Sequence, residues 1–185
     1  MIKKLLRKRV QAVLKAAKID GVKSNVFCRK STNHEEAKLP FINIYPNTEN
    51  ISRFDEAPKR YKRAYEFVLE IVATHDDDEK LCDELDDIVD EIEIAMEADR
   101  VLQGWDAYDS DGNKTEDCEA TSVEYDIQSN GSNPIGSARV TYSITYIQRP
   151  ALPIAEDAFK TVESKWVIGD HGENKAVDRF DLPQE

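Results

Sequence analysis

The stretch Asp109-Ser-Asp-Gly-Asn-Lys-Thr-Glu-Asp117 sets carboxylates two residues apart ahead of a glycine, the arrangement by which a loop gathers oxygen ligands around calcium. With Gly112 in the sixth position of such a loop, Asp109 and Asp111 take positions three and five. Ala107 then stands where the first ligand belongs and Cys118 where the bidentate acid belongs. The segment after Ala120 also alternates like a strand, whereas a calcium loop needs an exiting helix. Asp-Gly is equally the signature of a hairpin turn, and that is the expectation here. A second acidic concentration runs from Asp76 to Asp99, with thirteen carboxylates and Lys80 as its one cation. Two-metal chemistry needs carboxylates that converge on a cleft, and an acidic stripe on one side of a helix is a solvated face. His34, His75 and His171 have no partner spacing. Cys28, Cys82 and Cys118 form no Cys-x-x-Cys pair and have no nearby histidine; an odd, scattered set fits a reducing compartment. Phosphate loops, Gly-x-Ser-x-Gly and dinucleotide fingerprints are missing from the sequence, which has only seven glycines. The expectation is a protein that is not an enzyme and has no catalytic residue, metal or cofactor. A metal-dependent enzyme using Asp109 or Asp111 is the outlying alternative.

The elements that would position any surface are legible from periodicity. Tyr61, Tyr65, Phe67, Leu69, Ile71 and Ala73 alternate onto one face of a long strand, with Arg63 the one charge among them. After Thr74 the period changes. Leu81, Leu85, Ile88, Val89, Ile92 and Met96 recur at three- and four-residue steps and predict one stripe of a long acidic helix. At the N-terminus, Leu6, Val10, Val13, Leu14 and Ala17 predict a helix that stops near Asp20-Gly21. Up to Lys18 this segment has seven cations and no acid, which breaks the apolar run that a secretory signal needs. No stretch of the sequence approaches the roughly 20 apolar residues of a membrane span. Acids one turn apart on the central helix repel one another, as in Asp83 with Asp87 and Asp86 with Asp90. The basic helix is therefore expected beside the acidic one, or beside a neighbouring subunit's copy, with Arg7 or Lys15 facing carboxylates.

Further strands are predicted at Val22 to Arg29, at Leu39 to Tyr45 with Pro40 at its start, at Ala120 to Gln128 and at Ala138 to Gln148. Thr121, Val123, Tyr125 and Ile127 fall on one side of the third of these. Ala138, Val140, Tyr142, Ile144 and Tyr146 share a face of the fourth. Ser31 to Lys38 is a polar connection, Asn47 to Lys59 reads as a long exposed loop, and Ser129 to Pro134 as a turn. Phe159, Val162 and Trp166 predict a short helix, and Gly169 to Glu185 an extended arm. The composition, 40% hydrophobic and 34% charged over 185 residues, is that of a soluble globular protein. The order of elements predicts an α+β fold, a mostly antiparallel sheet with two main helices packed on one face, plus a C-terminal extension. The expected domains are residues 1–149 and an extension or arm, 150–185. The net charge of −12 argues against nucleic-acid binding, because phosphate repels such a surface.

From Ile2 to about Arg149 the order of features resembles the tail terminator, or tail completion, proteins of long-tailed bacteriophages, of the minor-tail-protein-U type. The resemblance lies in the basic opening helix, the Leu39-Pro-Phe-Ile-Asn-Ile-Tyr45 strand and the Tyr61 to Thr74 strand. It continues in Asp83-Glu-Leu-Asp-Asp-Ile-Val-Asp-Glu-Ile-Glu93 running to Ala98-Asp-Arg-Val-Leu102, and in the strand ending Val140-Thr-Tyr-Ser-Ile-Thr-Tyr146. It implies a structural virion protein, assembled in the host cytoplasm, that sits at the head-proximal end of the tail as a hexameric homo-oligomer. Such a ring caps the tail tube protein, ends its polymerisation and offers a surface to the head-tail connector or neck protein. Another neck or tail-tube joint subunit is the alternative. The family has no catalytic motif to transfer. The residues expected at subunit or tail-tube contacts are Arg7, Arg9 and Lys15 on the basic helix, with Arg53 and Arg60 around the exposed loop.

Overall fold

A computed structural model describes residues 2–28, 38–56, 59–109, 113–128, 134–148, 161–167 and 175–181. In chain order these form α1 (Ile2–Ala17), β1 (Val26–Phe27), β2 (Phe41–Glu56), β3 (Lys59–Thr74), α2 (Asp78–Ala98), β4 (Thr115–Gln128), β5 (Ile135–Gln148), β6 (Thr161–Val167) and β7 (Lys175–Asp181). The chain divides into two units, Met1–Pro150 and Ala151–Glu185.

The first unit has an α+β fold whose five strands lie in the order β1-β2-β3-β5-β4. The short β1 runs parallel to β2, and every other pair in this sheet is antiparallel. A strand flanked on both sides and covered on one face must be apolar at alternate positions, and β3, in the middle, meets that demand. Tyr65, Phe67, Leu69, Ile71 and Ala73 are buried and join Ala138, Val140, Tyr142, Ile144 and Tyr146 of β5 in one core. Onto this face α1 lays Leu6, Val10 and Leu14, and α2 lays Leu81, Leu85, Ile88, Val89, Ile92 and Met96. The rings of Phe67 and Tyr142 stack at 5.8 Å across the two strands. Val68 and Val72 of β3 are buried as well, on the opposite face, which explains why that side of the strand is not uniformly polar in sequence.

Local chemistry sets the helix ends. Asp77 caps α2, its carboxylate accepting from the backbone N–H of Glu79 and Lys80, and Asp78 and Glu79 in the first turn complement the helix dipole. After α1 the chain takes left-handed backbone at Lys18, Gly21 and Lys23 and turns into β1. Gly136 lies beneath α2: a β-carbon there would stand 2.9 Å from Leu85 Cδ1, so its absence lets the helix settle on the sheet.

Several expectations need correction. The segment read as a loop, Asn47 to Lys59, is strand for all its described length, with Arg53 paired to Tyr61 and Glu56 to Lys59. Its polar sequence misleads because this part of the hairpin is exposed and so has no alternation to show; register shifts between Pro46 and Glu49 and between Arg53 and Asp55 accommodate the irregular residues. The strand expected from Ala120 begins at Thr115, and a shift between Ala120 and Ser122 makes Thr121 the extra residue. Val123, Tyr125 and Ile127 do keep one side, opposite Val140, Ala138 and Gly136. Beyond them, Asp109 accepts from Asn113 N at 3.0 Å and from Asn113 Nδ2 at 2.9 Å, while Glu116 and Asp117 already belong to β4. Asp111 and Gly112 lie outside the described residues, as do Ser31 to Ala37 and Ser129 to Asn133.

In the second unit, β6 and β7 pair antiparallel, from Thr161 opposite Asp181 to Val167 opposite Lys175. The helix expected over Val162 and Trp166 is therefore a strand, and the supposed arm contains its partner; Phe159 lies outside the described residues. Thr161, Val162, Trp166 and Val167 are the β-branched and aromatic residues that favour pleated backbone, and this propensity outweighs a four-residue apolar spacing.

Truncation of the core and of the surface separates by size. Ile92→Ala should cost about 2–5 kcal/mol of unfolding free energy, and Ile94→Ala, at a 67% exposed residue, less than about 0.5 kcal/mol; urea denaturation of both variants checks this.

Candidate assembly surfaces

The two helices divide the sheet laterally. α1 lies toward the β1 side: Gln11 Nε2 donates to the Val26 carbonyl at 2.8 Å, and Cys28 Sγ lies 3.8 Å from the Arg7 carbonyl. α2 covers β3 and β5 and borders β4. The helices pack against each other, as their opposite charge demands. The bond between them is made by Arg9, however, and not by Arg7 or Lys15. Arg9 Nη2 donates to Asp99 Oδ2 at 2.7 Å and its Nε lies 3.2 Å from both carboxylate oxygens. Asp99 is the residue at which α2 ends, and its Oδ1 also accepts Leu102 N at 2.9 Å. A second tie joins the turn after α1 to α2, where Asp20 N donates to Glu91 Oε2 at 3.1 Å.

The other residues expected at contacts take different positions. Arg7 is half-buried, with an enclosed Nε that has no hydrogen-bond acceptor among the described residues, and Lys15 is exposed on α1. Arg53 and Arg60 come together at the outer end of the β2–β3 hairpin. There Arg53 pairs with Glu56 at 2.9 Å, and Arg60 pairs with Asp55 while its guanidinium covers the Phe54 ring at 5.1 Å. Ile51 and Phe54 are exposed beside them. The structure thus yields two cationic groups, one along α1 and one on the hairpin.

Between those groups lies Glu49, which sequence reasoning passed over. It stands where the β2 register shifts, and it receives Lys3 of α1 at 2.8 Å, Arg63 of β3 at 3.2 Å and the Tyr146 hydroxyl of β5 at 3.1 Å. Burial alone would raise its carboxyl; the three donors together outweigh that and hold it below the usual carboxylate range. Arg63, the lone charge on the apolar face of β3, was the available signal, because a charge in that setting requires a partner. Asp99 had a signal too, as a helix-terminal acid opposite a helix without acids.

The far side of the sheet has the reverse sign. Asp83, Asp86, Asp87, Asp90 and Glu97 of α2 are exposed, and β4 adds Glu116, Asp117, Glu119, Glu124 and Asp126 with no cation. α2 does not extend over β4, so Val123, Tyr125 and Ile127 remain exposed on the side that the helices cover elsewhere. Burial and a hydrogen bond to Asp86 push the Tyr125 hydroxyl up to about 12, which keeps it a neutral donor. On the opposite face Lys62 reaches Glu116 at 3.0 Å, and Arg139 reaches Glu70 at 3.2 Å. Among the described residues, no three His, Cys, Asp or Glu side chains are grouped to hold a metal ion, and no helix is long and apolar enough to cross a membrane. What the described residues of the first unit offer is a basic flank, an acidic flank and two sheet edges, at β1 and β4.

Asp99→Ala should destabilise the chain by about 2–3 kcal/mol, since it removes two charge-assisted bonds from Arg9 and the acceptor for Leu102 N; Arg9→Ala should cost less, leaving Asp99 its backbone bond. Chemical denaturation of the two variants tests the order. For Glu49, whose folded pKa is depressed, the stabilisation is present above the unfolded carboxylate's pKa of about 4.3 and is lost as pH falls through the lower folded value. Glu49→Gln should therefore flatten the pH dependence of stability in that acidic window, and unchanged curvature there would contradict the assignment.

No protein-family model matches the chain, and neither does any curated protein. Among solved structures, a chain from the virion of a native gene transfer agent particle is similar, at 9% identity and a TM-score of 0.45, over 77% of this chain and 90% of that one.

Proposed function

We propose that this protein is a structural subunit of a bacteriophage virion that associates head-to-tail with copies of itself into a ring, caps the tail tube and ends its growth. The observation that carries the reading is the lateral separation of charge. Six cations and no acid occupy α1, toward the β1 end of the sheet, while α2 and β4 concentrate acids toward the other. A two-fold contact between equal flanks would set like charge against like. A heterologous contact sets the basic flank of one copy against the acidic flank of the next, and a rotation that closes makes a ring.

The order of features that resembles tail terminator proteins supports the same reading, and with it a ring at the head-proximal end of the tail is proposed. In that setting the hairpin end with Ile51, Arg53, Phe54 and Arg60 projects away from the helices as a contact for the tail tube protein. The opposite end of the sheet, where β4 turns into β5, is left for the connector or neck protein. No catalytic step is assigned, and the carboxylates act as a charged surface.

Electron microscopy of particles made without this protein tests the role. Tails that overrun their normal length and lack attached heads are the expected outcome. Tails of normal length with heads attached would exclude termination.

A further inference from the structure

The uncovered strip on β4 has a definite chemical character. Val123, Tyr125 and Ile127 continue the buried surface of the sheet past the edge of α2, at 36%, 49% and 37% exposure. Along one side the strip is bordered by α2, whose Asp86 receives the Tyr125 hydroxyl and whose Asp90 and Glu93 lie close enough to act on it. The backbone of β4 beyond it is an open sheet edge. An occupant must therefore be apolar along a narrow line and cationic beside it.

The chain contains such an element in a place where it cannot reach its own β4. On α1, Leu6, Val10 and Leu14 face the core, Arg9 is held by Asp99 and Lys3 by Glu49. Leu5, Lys8, Ala12 and Lys15 are exposed at three- and four-residue spacing, so they share the outward face, with Leu5 at 46% exposure. That face combines apolar side chains with two lysines, and no acid lies anywhere on the helix. α1 lies at the β1 end of the strand order and the strip lies at the β4 end, which is the geometry that a head-to-tail contact needs.

We infer that the Val123, Tyr125 and Ile127 strip is the seat for the outward face of α1 from a neighbouring copy, with Lys8 and Lys15 set against Asp86 and Asp90. The inference rests on the ring reading above and names its interface. Leu5 and Ala12 cover the apolar strip, and the lysines neutralise the carboxylates that repel one another along α2. The contact is heterologous, so each copy gives one α1 and receives one, and a closed ring leaves none unoccupied.

Sedimentation velocity over a concentration series, at low and physiological ionic strength and with and without purified tail tubes, tests this with two charge-reversed chains, Lys8→Glu/Lys15→Glu and Asp86→Lys/Asp90→Lys. Each alone should weaken association by about tenfold or more, and an equimolar mixture should restore it, because each variant's altered face then meets the other's. That rescue also shows that both variants are folded. A third chain, Val123→Ser/Ile127→Ser, should associate weakly, should pair with Lys8→Glu/Lys15→Glu through its own intact α1 and that chain's intact strip without closing rings, and should gain nothing from mixing with Asp86→Lys/Asp90→Lys. If wild-type chain forms rings and the charge-reversed chains do so equally well, or if the mixture is not rescued, the seat is wrong and the ring stands. Loss in the third chain without loss in Lys8→Glu/Lys15→Glu would mean that something other than α1 fills the strip, which also overturns the inference. Wild-type chain that stays monomeric with tubes present overturns the ring and the interface together.

Discussion

The contact between Arg9 and Asp99 governs how this sheet is covered. Two helices must share one apolar face, and either alone would leave part of β3 wet. Burial supplies most of the free energy: each core leucine or isoleucine contributes about 1.5–3 kcal/mol, and α1 and α2 contribute nine buried side chains between them. Burial has no direction, however, and would accept either helix at several angles. The charge pair selects one arrangement. Asp99 also holds Leu102 N, and the turn that follows closes onto β4, where Thr115 Oγ1 lies 2.7 Å and 2.9 Å from the carbonyls of Val101 and Leu102. Gly104, at φ +73°, passes so near Thr115 that any side chain would collide with its carbonyl. One carboxylate thus fixes the end of α2, the position of α1 and the start of β4.

Glu49 plays the corresponding part for the other half of the sheet. From Phe41 to Ile44 β2 is buried; from Pro46 on it is mostly exposed and ordered by pairing with β3, with Glu49 a half-buried exception. A carboxylate with three donors from three elements can hold that transition because its charge is balanced on every side. The two hairpins leave the body at opposite ends: Tyr61 of β3 lies opposite Gln148, and Thr74 opposite Ile135. The first unit accordingly has distinct ends as well as distinct flanks.

The parts of this architecture that the sequence reveals are those where one face is dry. The six α2 residues read from their spacing are the six that are buried, and the five alternating residues of β5 are likewise all in the core. Asn47 to Lys59 escaped because a hairpin wet on both faces has no period, and its order comes from partner strands that local sequence cannot name. For β6, an apolar spacing common to helix and strand was resolved toward the wrong one. Among the contact residues, the sequence revealed that α1 is basic but not which cation would be spent inside the molecule; Arg9 is set apart by its guanidinium facing Asp99, ninety residues away in sequence. Val123, Tyr125 and Ile127 were legible as one side of a strand, and their exposure depends on how far α2 extends sideways, which is a tertiary fact.

The brevity of β1 has a consequence for handling the material. Among the described residues of the first unit, two residues of parallel pairing protect Ile42 and Asn43, so most of β2, like β4, is a sheet margin without a partner strand. Unprotected margins of this kind invite stacking into fibrous precipitate. On β4 the five acids supply the repulsion that opposes it, and this protection fades as salt screens them. Buffers of low ionic strength are therefore expected to keep concentrated stocks best.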